Sequence, residues 1–383
     1  MTELRSLRRN IQEGFNPASK RMRVVALTKY DREAAATRQR FLQYGQSLAK
    51  AGIELQYRPL IGDDYVRSIG SRESWSRAAL LRSYASRFAE LFRGPGADVL
   101  WVHAELFPYL PALFDRLAFR HGIPVVYDWD DAFFLNYNES RNPLIRLMLR
   151  GKIERLIAGA SAATCGNEFL RDFAARYCPD SMLLPTVVDT DVYRPEPCGR
   201  ARLVIGWIGS PTTWANVRPM LRLLQEVCAA TNARFRVVGA GTDAEADRFP
   251  GMELVAWSEE SEVAEVQGFD IGIMPLVDAP FERGKSGYKL IQYMACGIPA
   301  IASPVGANKT VLSAGSGCFA TTDDEWSAAL RRLIADAALR KRLGDEGRER
   351  AIAHYSLQAY APRLIALLEE VARPGRAMPH SHG

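Results

Sequence analysis

No stretch of this chain is long and apolar enough to cross a bilayer, no secretory leader opens it, and no Cys-x-x-Cys pair occurs in it. The first two absences lead one to expect a cytoplasmic protein. The third, with six scattered cysteines (Cys165, Cys178, Cys198, Cys228, Cys296 and Cys318), argues for buried thiols in a reducing compartment. Strong charge of either sign is also missing. A net charge of +5 is compatible with anionic nucleotides or a membrane surface and gives no reason to expect a nucleic-acid partner. Histidine is scarce, with five in the chain. His103 falls on a strand, where a core role is usual, and His380-Ser-His382 falls in a tail expected to be disordered.

What is present is length and alternation. At 383 residues the chain exceeds what one core supports, so two domains are expected. Strand signals at Arg23–Leu27, Asp98–Ala104, Pro124–Tyr127, Ser161–Cys165 and Met182–Leu184 mark the first half, with a helix over Thr37–Ala51 ending at Gly52. The pattern restarts with strands at Leu203–Ile208, Phe235–Val238, Glu253–Ala256 and Ile271–Met274. Helices are predicted at Pro219–Ala230, Asp324–Asp336, Ala338–His354 and Leu357–Ala372. Such alternation indicates two parallel-sheet units of the α/β class. The proline- and acid-rich stretch Pro185–Pro197 between them is a hinge candidate.

The most informative segment runs from Arg283 to Ser303. A turn of Gly284, Lys285, Ser286 and Gly287 precedes a helix from Tyr288 to Gly297-Ile298-Pro299, and a strand over Pro299–Ala302 follows. Backbone N–H groups at a helix start suit a phosphate, and Lys285 and Lys289 add full charges there. A second turn, Gly206-Trp-Ile-Gly-Ser-Pro-Thr-Thr213, brings Gly209 with Ser210, Thr212 and Thr213, which serve either as phosphate contacts or as an ordinary helix cap. In the first half, Tyr127-Asp-Trp-Asp-Asp131 puts three acids at the end of a buried strand, which is costly unless they bind something. Asp130 is the candidate to orient or deprotonate an acceptor, with Asp128 and Asp131 beside it; Asp131 can equally cap the turn at Ala132. Glu105, past another strand end, is expected to face the same cleft. A helix over Ser74–Phe92 carries an apolar stripe of Ala78, Leu81, Tyr84, Phe88 and Leu91, with Arg72, Arg77, Arg82, Arg87 and Arg93 around it. It reads either as a core-packing helix or as one that lies on an anionic membrane face.

The register Met-Ala-Cys-Gly-Ile-Pro-Ala-Ile-Ala-Ser303 resembles the donor-binding segment of the retaining family 4 glycosyltransferases. The resemblance spans about residues 22–372 and is strongest after Leu203. It implies a GT-B fold, two Rossmann-like domains facing across a cleft. The expected divisions are an arm at 1–21, an acceptor domain at 22–197, a nucleotide-sugar domain at 198–355, a helix at 356–373 crossing back, and a tail at 374–383. It implies a nucleotide diphosphate sugar as donor, a glycan or lipid-linked acceptor, and transfer with retention. It makes Gly209, Ser210, Thr212, Thr213, Gly239, Trp257, Gly284, Ser286, Gly287, Tyr288, Lys289 and Gln292 donor contacts. Thr28 and Lys29, after the first strand, become acceptor-side, and Lys285, Asp130 and Glu105 catalytic. The chain departs from the family at Gly284 and Gln292, where two Glu are usual, and at Ser210 and Ala215, where Arg and Lys are usual. Lys285, helped by Lys289 or Arg283, is the expected replacement. No cofactor is required. Asp128-Trp-Asp130 also resembles the Asp-x-Asp motif of the other main glycosyltransferase fold, which makes a divalent cation there the alternative. A nucleotide-sugar epimerase or a non-catalytic binding subunit are the rival functions.

Overall fold

The computed structural model describes residues 21–65, 67, 76–196 and 202–374. The expected arm up to Lys20, Arg72, Ser74, Pro197 and the tail histidines lie outside the described residues. Two parallel sheets carry the fold. The first contains β1 (Met22–Tyr30), β2 (Ile53–Ile61), β3 (Val99–His103), β4 (Val125–Trp129), β5 (Ala162–Cys165) and β6 (Ser181–Leu183), in the order β2-β1-β3-β4-β5-β6. The second contains β7 (Val204–Ile208), β8 (Arg234–Val238), β9 (Met252–Val255), β10 (Ile271–Met274), β11 (Ala300–Ala302) and β12 (Gly317–Phe319), in the order β12-β11-β10-β7-β8-β9.

The inner strands β3, β4, β7 and β10 are buried at every position, which is why they read as mainly apolar runs, Asp128 and His103 excepted. The edge strands β2 and β12 carry no such signal and are not predicted: β2 is only partly buried and mixes charged with apolar residues, and β12 is three residues long. The helix expected over 37–51 is broken. Ala35–Arg40 and Gly45–Lys50 flank a 3-10 turn at Leu42–Tyr44, where Phe41 and Tyr44 turn into the core against Trp101. The helix expected from Ser74 is described as Arg77–Arg93, capped by the Ser76 hydroxyl.

Strand order reverses between β1 and β3 and again between β7 and β10. Ligands of open α/β sheets collect outside the carboxyl ends of strands at such points. The last helix, Leu357–Val371, returns to the first sheet, where Leu357, Tyr360, Leu364 and Leu368 share a core with Val24, Phe41, Trp101 and Val126. The connecting stretch is fastened at both ends. Val188 bridges to Ser356, and the Arg348 guanidinium donates to the carbonyls of Thr190, at 2.7 Å, Ala295, at 2.6 Å, and Tyr193. No helix among the described residues is long and apolar enough to cross a membrane.

Candidate active site between the two sheets

A cleft of about 710 Å³ opens between the two sheets. Tyr30, Arg38, Asp130 and Asp131 line it from the first domain; Gly209, Ser210, Thr213, Gly239, Trp257, Lys285, Ser286, Gly287, Tyr288, Lys289 and Gln292 line it from the second. The loops after β1, β4, β7, β8 and β9 therefore converge, with the start of helix Tyr288–Ala295 among them.

The glycine-rich turn is held by both domains. Gly287, at φ +68°, precedes the helix in a conformation that strains other residues. Gly284 does not line the cleft. A Cβ there would stand 2.6 Å from the Ala132 Cβ of the first domain, so glycine at this position serves the contact between domains. Asn167 donates through Nδ2 to the carbonyls of Gly284, at 2.6 Å, and Lys285, at 3.2 Å, and the Ser286 hydroxyl donates to the Asp130 carbonyl at 2.8 Å. The turn is thereby fixed with two lysines beside it. Neither Lys285 nor Lys289 has a carboxylate within 4.0 Å among the described residues; their ammonium groups stand over the rings of Phe281 and Trp207. Burial and the neighbouring Lys285 push Lys289 down to about 8, against the pull of Asp131. Burial pushes Asp131 up to about 7, opposed by Lys285 and reinforced by Asp130. Two cations facing one reluctant carboxyl make a site that favours an anion.

The second turn behaves mainly as a cap. The Thr213 hydroxyl accepts from the Ser210 backbone N–H at 3.1 Å and donates to the Ser210 carbonyl at 3.0 Å. Thr212 is exposed, bonds the Ser210 hydroxyl at 2.9 Å and does not line the cleft, so it is removed from the donor contacts.

The acids of the first domain divide sharply. Asp130 lines the cleft, and its Oδ1 lies 2.9 Å from the His103 Nε2. Burial raises the Asp130 carboxyl, but the charge and hydrogen bond of His103, with Arg40 behind, hold it below its usual range. His103, expected in the core, is thus the partner of Asp130, and Phe41 and Phe133 meet its ring edge-on. Asp128 is a correction. It is fully buried, paired with Arg40 at 2.9 and 2.6 Å and with the Thr164 hydroxyl at 2.6 Å. It therefore does not face an acceptor, and the Asp128/Asp130 cation loses one ligand. Glu105 is a second correction. It accepts from the Tyr137 hydroxyl and from Lys152, at 2.7 Å, and lies buried away from the cleft. The two chain-adjacent residues Thr28 and Lys29 also miss it: the Thr28 hydroxyl is buried on the Tyr30 carbonyl, and Lys29 stands over the Tyr30 ring.

At the far end, Trp257 and Gln292 meet Glu262 and Arg38. The Glu262 carboxylate accepts from Trp257 Nε1 at 2.7 Å and from Gln292 Nε2 at 2.9 Å, while the Arg38 guanidinium lies over the Trp257 ring at 4.3 Å. Glu262 begins a six-residue helix, Glu262–Gln267. Nothing in the pattern sets it apart from its neighbours Glu259 and Glu260, so sequence reading passes over it.

Residues 202–336 match the family of glycosyl transferases group 1. The chain thus carries a glycosyl transferases group 1 domain over those residues, within a fold of two parallel six-stranded sheets of the GT-B type. It is similar to an MMP α-(1→4)-mannosyltransferase of Mycolicibacterium hassiacum, at 27% identity over 57% of this chain and 54% of that one. The chain thus spans about half the length of the curated relative it matches. In fold it is similar to a sucrose-phosphate synthase of Thermosynechococcus elongatus, at TM-score 0.68, 15% identity, and coverage of 92% of this chain and 99% of that one. It is also similar to Anabaena HepE in complex with UDP and glucose, at TM-score 0.64, 12% identity, and coverage of 91% and 99%.

Proposed function

We propose that this chain transfers a sugar from a nucleoside diphosphate to a hydroxyl of a glycan or lipid-linked acceptor, with retention at the anomeric carbon. The observation that carries the reading is the pair Lys285 and Lys289, unmatched by any protein carboxylate within 4.0 Å among the described residues, at a glycine turn facing Asp130 across an open cleft. The lysines and the turn would hold the diphosphate and stabilise its charge as the bond from anomeric carbon to phosphate oxygen breaks. The acceptor oxygen then bonds the same face of the sugar, and its proton passes to the departing phosphate oxygen. Asp130, kept anionic by His103, would orient the acceptor hydroxyl and stabilise positive charge on the sugar ring. This reading needs no metal. An open cleft, rather than one filled by side chains, favours it over a non-catalytic binding subunit.

Contact with an anionic membrane face forms part of the proposal. Helix Arg77–Arg93 exposes Leu81, Phe88 and Phe92, and Arg77, Arg82 and Arg93 are exposed with them. Arg87 is not part of that face: it is buried and donates to the Arg58 carbonyl at 2.6 Å.

The test is turnover of a panel of nucleotide sugars with and without acceptors, screened first by thermal shift. UDP-glucose and nucleoside diphosphate mannoses head the panel because of the relatives named above. Asp130→Asn is expected to keep fold and nucleotide affinity and lose most of the transfer rate. Turnover that needs no acceptor points to an epimerase, and no binding or turnover by any member of the panel defeats the reading.

A further inference from the structure

The glycine turn borders two cavities. Ser286 lines the cleft and also a second cavity of about 390 Å³ between the two domains, beside the start of the connecting stretch at Pro185. The two cavities share no other lining residue. Charge is divided between the walls of the second one. Its second-domain wall carries Lys309, exposed on the short helix Asn308–Val311, and Arg350. The Arg350 guanidinium is fixed in place: Nε donates to the Val311 carbonyl at 2.8 Å, Nη2 donates to the Thr310 carbonyl, and the group lies 5.9 Å from the centre of the Tyr355 ring. Neither cation has a carboxylate within 4.0 Å among the described residues. The first-domain wall carries one acid, Glu168, exposed at the start of helix Glu168–Ala174 and likewise without a cation within 4.0 Å among the described residues. Tyr355 and Tyr360 supply ring surface between the charges.

We propose that this rear cavity binds a hydroxyl-bearing phosphate monoester, a sugar phosphate in class, and that its occupancy strengthens the glycine turn in the cleft. Two cations on one wall suit the phosphate dianion. The carboxylate opposite repels a bare phosphate but accepts from sugar hydroxyls, so the pair of walls selects a molecule with both groups. The rings pack on its carbon skeleton, and the volume is that of a small-molecule site. The link to the cleft is covalently short. Asn167 lines the rear cavity and donates to the Gly284 and Lys285 carbonyls, and the Ser286 hydroxyl donates to the Asp130 carbonyl. All three bonds cross between the domains. A ligand that touches both walls binds best when the domains are as close as those bonds require, and so favours that state. The coupling, though not the site, rests on the reading that the turn holds a nucleoside diphosphate.

The experiment is calorimetry with glucose-6-phosphate, inorganic phosphate and glucose as probes. It compares the parent with Lys309→Glu, with Glu168→Ala, and with Lys285→Met combined with Lys289→Met. The parent is expected to bind glucose-6-phosphate more tightly than either phosphate or glucose. Lys309→Glu should weaken it by about ten- to a hundredfold, the worth of a hydrogen bond to a charged group, with the melting temperature unchanged because Lys309 is exposed. Glu168→Ala should abolish the preference over inorganic phosphate. The double lysine variant of the cleft should bind glucose-6-phosphate as the parent does. Should Lys309→Glu fail to fold, Arg350→Lys keeps the charge, gives up the fork of donors, and must weaken binding too. Saturating glucose-6-phosphate should tighten UDP binding by about fivefold or more, the usual range of such couplings. A parent that ignores glucose-6-phosphate, a Lys309→Glu protein that binds it like the parent, or a loss confined to the cleft lysines overturns the site. UDP affinity indifferent to glucose-6-phosphate overturns the coupling. If UDP binds under neither condition, the nucleotide reading falls, and the Lys309 result still decides the rear site.

Discussion

The first domain buries cations and the cleft keeps two half-buried, with opposite consequences. In the first domain Lys152 meets Glu105 at 2.7 Å and Asp115 at 3.3 Å, and Arg40 meets Asp128 at 2.6 Å. Burial still pushes Asp115 up to about 6 against the pull of Lys152, yet each of these cations has a carboxylate in direct contact. In the cleft, Lys285 and Lys289 have no carboxylate within 4.0 Å among the described residues; Asp130 is engaged by His103, and Asp131 is itself pushed up to about 7. A matched buried charge holds the fold together, whereas an unmatched one at a turn is completed by what binds there. Residue type at a strand end does not separate the two cases; the partner does.

The largest effect that would break this comparison lies in the matched set. Removing one partner of a buried pair typically costs about 3–5 kcal/mol, because the remaining charge is left without compensation. Lys152→Met strands two carboxylates and is expected to lose stability of that order in urea unfolding, with nucleotide affinity of the folded protein unchanged. Lys289→Met removes a desolvated cation with no carboxylate within 4.0 Å among the described residues. It should leave stability equal or higher and weaken nucleotide binding. If Lys289→Met unfolds the protein as readily as Lys152→Met, the distinction between the two sets is lost.

Within the cleft the next effect is smaller. Lys285→Ala should weaken nucleoside diphosphate binding by about 1.5–3 kcal/mol, the worth of a hydrogen bond to a charged group. Unchanged affinity in titration calorimetry would remove Lys285 from the diphosphate site.

The same contrast explains what could be read before the structure. Parallel strands and their glycine turns are local signals, so the inner strands and the turn at Gly284–Gly287 were legible while the edge strands β2 and β12 were not, and the return of the last helix was expected only from the family resemblance. Partners are not local. Glu105 and Lys152 are far apart in the chain, as are Asp128 and Arg40, so acids expected to face the cleft proved to be structural ion pairs. His103 is buried, as expected of a histidine on a strand, but its pairing with Asp130, a strand away, could not be read from the sequence. Glu262 was invisible for the same reason: its meaning comes from Gln292, Trp257 and Tyr193, which only the fold brings together. Gly284, expected to touch the donor, owes its identity to Ala132 of the other domain.

The unmatched set should also be visible as protons. Lys289, lowered to about 8, and Asp131, raised to about 7, both titrate near neutrality. A bound diphosphate places negative charge beside them and raises both values. Binding must therefore take up protons, and affinity must fall as pH rises through about 7 to 8, by at most about tenfold per pH unit for each proton. Calorimetry at about pH 7.5 should give binding enthalpies that differ between HEPES and Tris by the heat of the protons exchanged. Lys289→Arg, which does not titrate there, should shrink the difference. Equal enthalpies in the two buffers would mean that these groups do not meet the phosphates.

The smallest effect concerns arginines outside the cleft, where the comparison can be sharpened on a single helix. Arg77 and Arg82 are exposed beside Leu81, while Arg87 is buried, held by the Arg58 carbonyl and pushed down to about 10 by burial. Near an anionic surface each exposed arginine contributes about 1 kcal/mol, and salt screens it over roughly a Debye length. Arg77→Gln with Arg82→Gln should weaken binding to phosphatidylserine-containing vesicles at low salt and leave the melting temperature unchanged. Arg87→Gln should do the reverse, because it removes a donor from a buried carbonyl and leaves the exposed face intact. If the parent protein ignores such vesicles at any salt, the exposed apolar residues of this helix face something other than lipid. The acceptor is then better sought among soluble glycans, since nothing would hold the cleft near a lipid-linked one.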